Sequence, residues 1–141
     1  SGTLPADQLV RLCFSGKYTQ QEVMKMLSGN AGCQALLGMK DMREIERHAL
    51  AGEQPFAEVL EAMLYTVSKQ IGAMAVALWG KADAIILTGG IAHSKYCVEE
   101  IKKQVEFLAP VVVLPGEGEM RSLAFNALGA LNGELPIQEY V

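Results

Sequence analysis

Positive charge is scarce in this sequence. Lys and Arg number 12 against 16 Asp and Glu, a net charge of -4, and no basic run interleaves with aromatics, themselves only 6% of residues. A polyanion would find little surface of the right sign, so nucleic acid is not an expected partner. Cysteine is sparse too. Cys13, Cys33 and Cys97 are odd in number and widely spaced, with no C-x-x-C pair and no ligand histidine nearby. A disulfide framework and a zinc site are therefore not expected, and buried free thiols are. Long hydrophobic runs are missing as well. The most apolar stretch, Ile71 to Trp79, is too short to cross a bilayer and is flanked by Lys69 and Lys81, so it reads as core and no membrane partner is expected. No basic segment leading into an apolar run opens the chain, which makes the cytoplasm the expected location. Neither G-x-x-x-x-G-K-[ST] nor G-x-G-x-x-G occurs, so a bound nucleotide would be held by neither familiar phosphate loop.

What the chain does have is apolar bulk, half of 141 residues, enough for one globular domain or part of a larger one. From Pro5 to His48 short helical pieces are punctuated by Ser15-Gly16, Ser28-Gly29-Asn30 and Leu37-Gly38. Thr19 followed by Glu22 forms a capping box that opens Gln20 to Leu27, since hydroxyl and carboxylate can each satisfy a free backbone amide. Asp41 followed by Glu44 suggests the same device for a helix from Met42 to Leu50. From Pro55 on, Phe56, Val59, Leu60, Met63, Val67, Ile71, Met74 and Leu78 recur three or four apart, predicting the longest helix. Glu58, Glu61 and Ser68 would form its polar face. Its last part, Ile71 to Trp79, is apolar nearly all round and is expected to lie deep between other elements.

Gly80 should stop that helix. Asp83 to Leu87 and Val111 to Leu114 then read as short apolar strands of a parallel sheet. Val98, Ile101 and Val105 keep helical spacing between them, giving a right-handed β-α-β unit, and Glu119 to Leu131 reads as a final helix. The fold class is α/β, with two parallel strands in a β-α-β unit plus a helical subdomain. Residues 1-50 form the helical subdomain, and residues 51-141 the long helix with the β-α-β-α core. Two parallel strands make a poor complete sheet, and the chain opens on turn chemistry at Ser1-Gly2-Thr3-Leu4-Pro5, so an N-terminal domain is expected outside this sequence.

Three segments could carry chemistry. Thr88-Gly89-Gly90 follows a strand and precedes a helix, where open α/β sheets place their ligands. It reads either as a plain tight turn or as a site where bare backbone meets a ligand. Lys40-Asp41-Met42-Arg43-Glu44 is either a helix cap with a solvated arginine, or an acceptor and a planar cation set against a nucleotide. Pro115-Gly116-Glu117-Gly118-Glu119-Met120 places two carboxylates before a helix, as dipole complements or as ligands of a hydrated magnesium ion. His48 and His93 read as structural or contact residues, and Ser94 beside His93 is not a nucleophile signature.

In this order and at these separations, the three segments resemble the butyrate-type kinases of the acetokinase family, in the acetate and sugar kinase, Hsp70 and actin superfamily. The likeness extends through Ser1 to Pro5, Phe14 to Thr19, Ala82 to Ala92 and Phe107 to Val111, running on into Pro115-Gly116-Glu117. It implies a partial ribonuclease H-like (actin-like ATPase) domain, the C-terminal part of an enzyme that moves the terminal phosphoryl group of ATP to a short-chain carboxylate, or makes ATP in reverse. ATP or ADP and Mg2+ are the implied cofactors. Thr88, Gly89, Gly90, Ile91 and Ala92 inherit adenosine contacts, as do Asp41 and Arg43 from the Asp-x-Arg of acetate kinases. Glu119 matches the metal-associated glutamate, with Glu117 the alternative.

The resemblance also implies a homo-oligomer, and a carboxylate pocket in the absent N-terminal part. An arginine that stabilises the transferring phosphoryl group belongs just before Ser1, so this piece by itself is expected to lack catalysis. An acetate kinase proper is disfavoured, since Thr88-Gly89-Gly90-Ile91-Ala92 stands where that group has an Ala-Gly-Ile-Gly-Glu type of turn. A different class of reading, a non-catalytic helical interaction module, rests on the strand edges a partial sheet leaves open.

Overall fold

A computed structural model of the chain describes residues 4-116 and 118-136, with the side chain of Glu119 excepted. Helices α1 (Ala6–Cys13), α2 (Gln20–Ser28), α3 (Cys33–Leu37) and α4 (Met42–Leu50) lead into the long α5 (Phe56–Ala77). Strand β1 (Ile85–Gly89), a 3-10 turn (Gly90–His93), α6 (Lys95–Val105), β2 (Val111–Pro115) and α7 (Glu119–Leu131) follow. The two strands are parallel, with Ile85 opposite Val111 and Gly89 opposite Pro115. The chain is thus α/β, with a β-α-β unit beside a group of helices.

Local chemistry sets several boundaries. The Thr19 backbone N–H donates to Glu22 Oε2 at 2.7 Å while the Glu22 N–H donates back to Thr19 Oγ1 at 3.4 Å, a complete capping box. The α5 C-terminus is closed by Trp79 (φ 57) and Gly80 (φ 69) in left-handed conformations. The Gly80 N–H reaches back to the Ala75 carbonyl at 2.8 Å, tying down one of the carbonyls the ending helix leaves free.

The core lies where α4 and α6 pack on α5 and β1. Ile45, Leu60, Leu64, Leu87, Cys97, Val98, Ile101 and Val105 form one buried cluster. On α5 the fully buried stripe is Leu60, Leu64 and Ser68, a spacing of four that holds one helix face.

Several expectations are corrected. Ser68 lies on the buried face, not the polar one. Its hydroxyl donates to the Leu64 carbonyl at 3.0 Å, which satisfies a polar group that would otherwise be costly to bury. The end of α5 is not deep: Met74, Val76 and Leu78 are more than half exposed, and Trp79 is 90% exposed. Those side chains form an open apolar flank because no described element covers it. Strand β1 starts and ends two residues later than expected, taking in Thr88 and Gly89, which pair with Leu114 and Pro115. It is not buried on both faces, since Ile86 is exposed. Of the three thiols only Cys97 is buried, and Cys13 is exposed. Asp41 and Glu44 do not form a reciprocal box. Asp41 caps the Arg43 N–H at 3.0 Å, but Glu44 is drawn forward by Arg47, whose Nη2 lies 2.7 Å from Oε2.

Candidate functional site

At the carboxyl end of β1 the backbone takes a shape only glycine holds easily. Gly89 sits at φ 77 and ψ -166, a region that costs other residues strain. Its N–H donates to the Gly116 carbonyl at 3.3 Å and its carbonyl accepts from the Gly116 N–H at 3.1 Å. Thr88 Oγ1 donates to the same Gly116 carbonyl at 3.2 Å. The two strand ends are therefore fastened together just below the turn.

The chain then rises through the Gly90–His93 turn into α6. Ser94 is the N-cap: its Oγ accepts from the Cys97 N–H at 2.9 Å, satisfying one of the amides that the first helical turn leaves open. Gly116 holds φ +89, and a Cβ placed on it would meet His93 Nε2 at 3.4 Å. The bare backbone at Gly116 thus makes room for the His93 ring.

Helix α4 stands across from this turn. Between them opens a cleft of about 770 Å³ whose walls are Asp41, Met42, Arg43 and Glu46 on one side and Gly90, Ile91, His93, Ser94, Lys95 and Cys97 on the other. A volume of this size falls in the range of small-molecule and cofactor pockets. Arg43 chelates Asp41, with Nε 3.1 Å from Oδ1 and Nη2 2.7 Å from Oδ2. The guanidinium hydrogen bonds hold the Asp41 carboxyl down at about 2. Burial pushes the Cys97 thiol up, and the nearby Glu46 carboxylate adds to that shift. The cleft therefore presents a neutral thiol, a fixed ion pair, and the charged ends of Glu46 and Lys95.

The structure gathers Asp41, Arg43, Gly90 and Ile91 into one cleft, although almost fifty residues separate the pairs in sequence. Thr88 and Gly89 lie below it as the fastening of the strand ends, and Ala92 is buried at 5% exposure. Neither Thr88, Gly89 nor Ala92 is among the cleft-lining residues. Glu117 lies outside the described residues, as does the side chain of Glu119, whose backbone opens α7. Among the described residues no three His, Cys, Asp or Glu side chains converge as a metal site. Glu46 and Lys95 line the cleft without being legible as site residues in the sequence. The only sequence signal for Glu46 is its place four residues after Met42 on α4, and for Lys95 its place in the first turn of α6. His48, by contrast, is structural, hydrogen-bonded to Glu53 at 2.8 Å and stacked on Phe56.

Comparison with known proteins gives this arrangement a family. The sequence model of the acetokinase family matches residues 5–112. A protein named "Probable butyrate kinase" from Phocaeicola vulgatus is 64% identical over 140 residues, covering 99% of this chain and 40% of the relative. Another of that name from Bacteroides thetaiotaomicron is 54% identical, with the same coverage of 99% and 40%. The chain thus spans about 40% of the length of these curated relatives. Among solved structures, acetate kinase from Porphyromonas gingivalis superposes with a TM-score of 0.76 at 20% identity, over 91% of this chain and 39% of that one. A propionate kinase from Francisella tularensis gives 0.70 at 19% identity, over 85% of this chain and 37% of that one. At such identities the likeness speaks to fold, which the two kinases share with this chain. With a family model matched across three quarters of its length and strong identity along nearly all of it, this chain belongs to the acetokinase family.

Proposed function

We propose that this chain forms the nucleotide-binding part of a butyrate-type kinase, in which adenosine occupies the cleft between α4 and the turn after β1. The observation that carries the reading is the convergence of Gly90 and Ile91 with Asp41 and Arg43 on one cleft. Gly90 and Ile91 offer bare backbone and an aliphatic surface to the nucleoside. Asp41 and Arg43 act as one rigid unit, the carboxylate fixing the guanidinium so that its plane can pack against the nucleotide. Thr88, Gly89 and Ala92 support the turn from below. Lys95, exposed at the mouth, supplies a positive charge for the phosphates. Residues 1-50 and 51-141 serve in this reading as the helical and β-α-β-α portions of one nucleotide-binding domain.

The complete protein, on this proposal, transfers the terminal phosphoryl group of ATP to a short-chain carboxylate. A carboxylate oxygen forms the new bond to phosphorus, the bridging bond to the β-phosphate breaks, and ADP leaves. The reverse reaction makes ATP from acyl phosphate. Mg2+ would be held through Glu119 at the start of α7 together with phosphate oxygens, and its chemistry is to neutralise charge on the phosphates. The acid pocket and the arginine that stabilises the moving group belong, in this reading, to the part of the relatives' length that this chain does not span.

Among the described residues no helix is long and apolar enough to cross a membrane, and we place the enzyme in the cytoplasm beside its nucleotide. A homo-oligomer belongs to the same proposal, with exposed apolar side chains along α7 such as Phe125 and Leu131 as surface in need of cover. The test is acyl phosphate formation by the complete gene product with butyrate, isobutyrate and acetate. Turnover on butyrate or isobutyrate above acetate is expected, and no product from any of the three would overturn the proposal.

A further inference from the structure

Two carboxylates line the cleft, and they are in opposite states. The side-chain donors to Asp41 belong to its own arginine, and backbone N–H groups at the start of α4 supply the rest. Oδ1 accepts from the Arg43 backbone N–H at 3.0 Å and from Nε at 3.1 Å, and Oδ2 accepts from Nη2 at 2.7 Å. Glu46 stands one helical turn beyond Met42 on the same face of α4 and is half-buried. Among the described residues no hydrogen bond or ion pair engages it. The other ionisable side chains of α4 are all committed: Arg43 to Asp41, Glu44 to Arg47, and His48 to Glu53.

A partly exposed carboxylate with no protein donor is free to accept hydrogen bonds from a ligand that supplies them. Of the other cleft-lining residues, Met42 and Cys97 carry no strong donor, Arg43 is held by Asp41, and no hydrogen bond or ion pair from His93, Ser94 or Lys95 reaches Glu46. Glu46 is therefore a cleft-lining carboxylate with no partner among the described residues, available to a ligand's donors.

We infer that Glu46, rather than Asp41, is the carboxylate that accepts hydrogen bonds from the ribose hydroxyls of the bound nucleotide. The inference rests on the nucleotide-binding reading above. Ribose is favoured over the base on donor geometry. Its vicinal diol offers two O–H donors to two carboxylate oxygens, as acidic residues use in other α/β nucleotide sites. The corresponding edge of adenine pairs one amine donor with an acceptor nitrogen, which a second carboxylate oxygen would repel.

The experiment is calorimetric titration of the complete gene product with ADP, its 2′-deoxy and 3′-deoxy analogues, and inosine diphosphate. Wild type is compared with Glu46→Gln, Glu46→Ala and, as a control, Asp41→Asn. Wild type should bind ADP about tenfold more tightly than at least one deoxy analogue, as expected for a hydrogen bond to a charged group. In both Glu46 variants that preference should shrink to about twofold or less, because the missing hydroxyl has no partner left to lose. Asp41→Asn should keep it. A preference that survives in the Glu46 variants, or is absent from wild type, overturns the inference while leaving nucleotide binding in place. So does a loss that follows removal of the adenine amine instead of a hydroxyl. No binding of ADP at all overturns both this inference and the nucleotide-binding reading.

Discussion

Arg43 grips Asp41 two residues before it in a forked arrangement, Nε to Oδ1 at 3.1 Å and Nη2 to Oδ2 at 2.7 Å, while the Arg43 N–H donates to the same carboxylate at 3.0 Å. One carboxylate thus starts helix α4 and fixes the cation on the cleft wall. Because those bonds favour the charged form, the Asp41 pKa falls from 3.8 to about 2. A depressed carboxyl contributes stability that is fully present above its unfolded pKa and is lost as pH falls through the folded one. The Asp41 contribution should therefore be intact above pH 3.8 and disappear toward pH 2. The pair is exposed, so the effect on global stability is small. Carboxyl titration by NMR should show the depressed midpoint in wild type and a return toward the ordinary aspartate value in Arg43→Ala.

Leu64 is 1% exposed and Ile45 0%, and both belong to the cluster that seats α4 against α5. Truncation of either to Ala should cost about 2–5 kcal/mol in urea unfolding, from lost burial plus the cavity left behind. Since α4 forms one wall of the cleft, Ile45→Ala should also weaken nucleotide binding without touching a lining side chain.

Two glycines of the site separate folding from binding. Gly116 has φ +89, and an added Cβ would stand 3.4 Å from His93 Nε2, so Gly116→Ala should cost roughly 1–2 kcal/mol of backbone strain and displace the His93 ring. At Gly90 an added Cβ meets nothing within 4 Å, yet the residue lines the cleft. Gly90→Ala should leave stability within about 0.5 kcal/mol and still lower ADP affinity several-fold, since a methyl group would stand where bare backbone meets the ligand. Thermal unfolding and calorimetric titration of the two variants check both halves.

Lys95 is exposed at the cleft mouth and forms no ion pair among the described residues. Lys95→Ala should weaken ADP binding more than adenosine binding, by several-fold at low salt and less at high salt, because a surface charge is screened. Equal loss for ADP and adenosine would remove Lys95 from the phosphate end.

Much of the fold is legible in the sequence because its punctuation is local. Thr19 with Glu22 and Gly80 after α5 each act on amides or carbonyls within a few residues, so the spacing alone reveals them; the Ser94 cap of α6 is hidden beside the glycine turn. Asp41 and Glu44 show the limit of the same logic. The pattern of a box is present, but Arg47 one turn on offers Glu44 a charged donor, and the reciprocal bond does not form. The end of β1 is not legible locally, because Thr88 and Gly89 join the strand through partners twenty-six residues away, Leu114 and Pro115. The apolar Ile71 to Trp79 stretch announces that something covers it, without telling whether the cover lies within this chain.

The site divides in the same way. The glycine pair at the end of a strand and an Asp-x-Arg at a helix start are visible as short patterns, and Gly90, Asp41 and Arg43 reach the cleft. Glu46 and Lys95 are not, because what places them there is the packing of α4 and α6 on α5, a relation no short segment carries.

Photoaffinity labelling of the complete gene product with an azido-adenine analogue of ATP, followed by peptide mapping, tests the central claim most directly. Labelled residues should fall on the two walls of the cleft, within 41–46 and 90–97, with labelling suppressed by excess ADP. ADP-protected labelling confined to other segments, with both walls unmodified, would contradict the assignment of this cleft as the adenosine site.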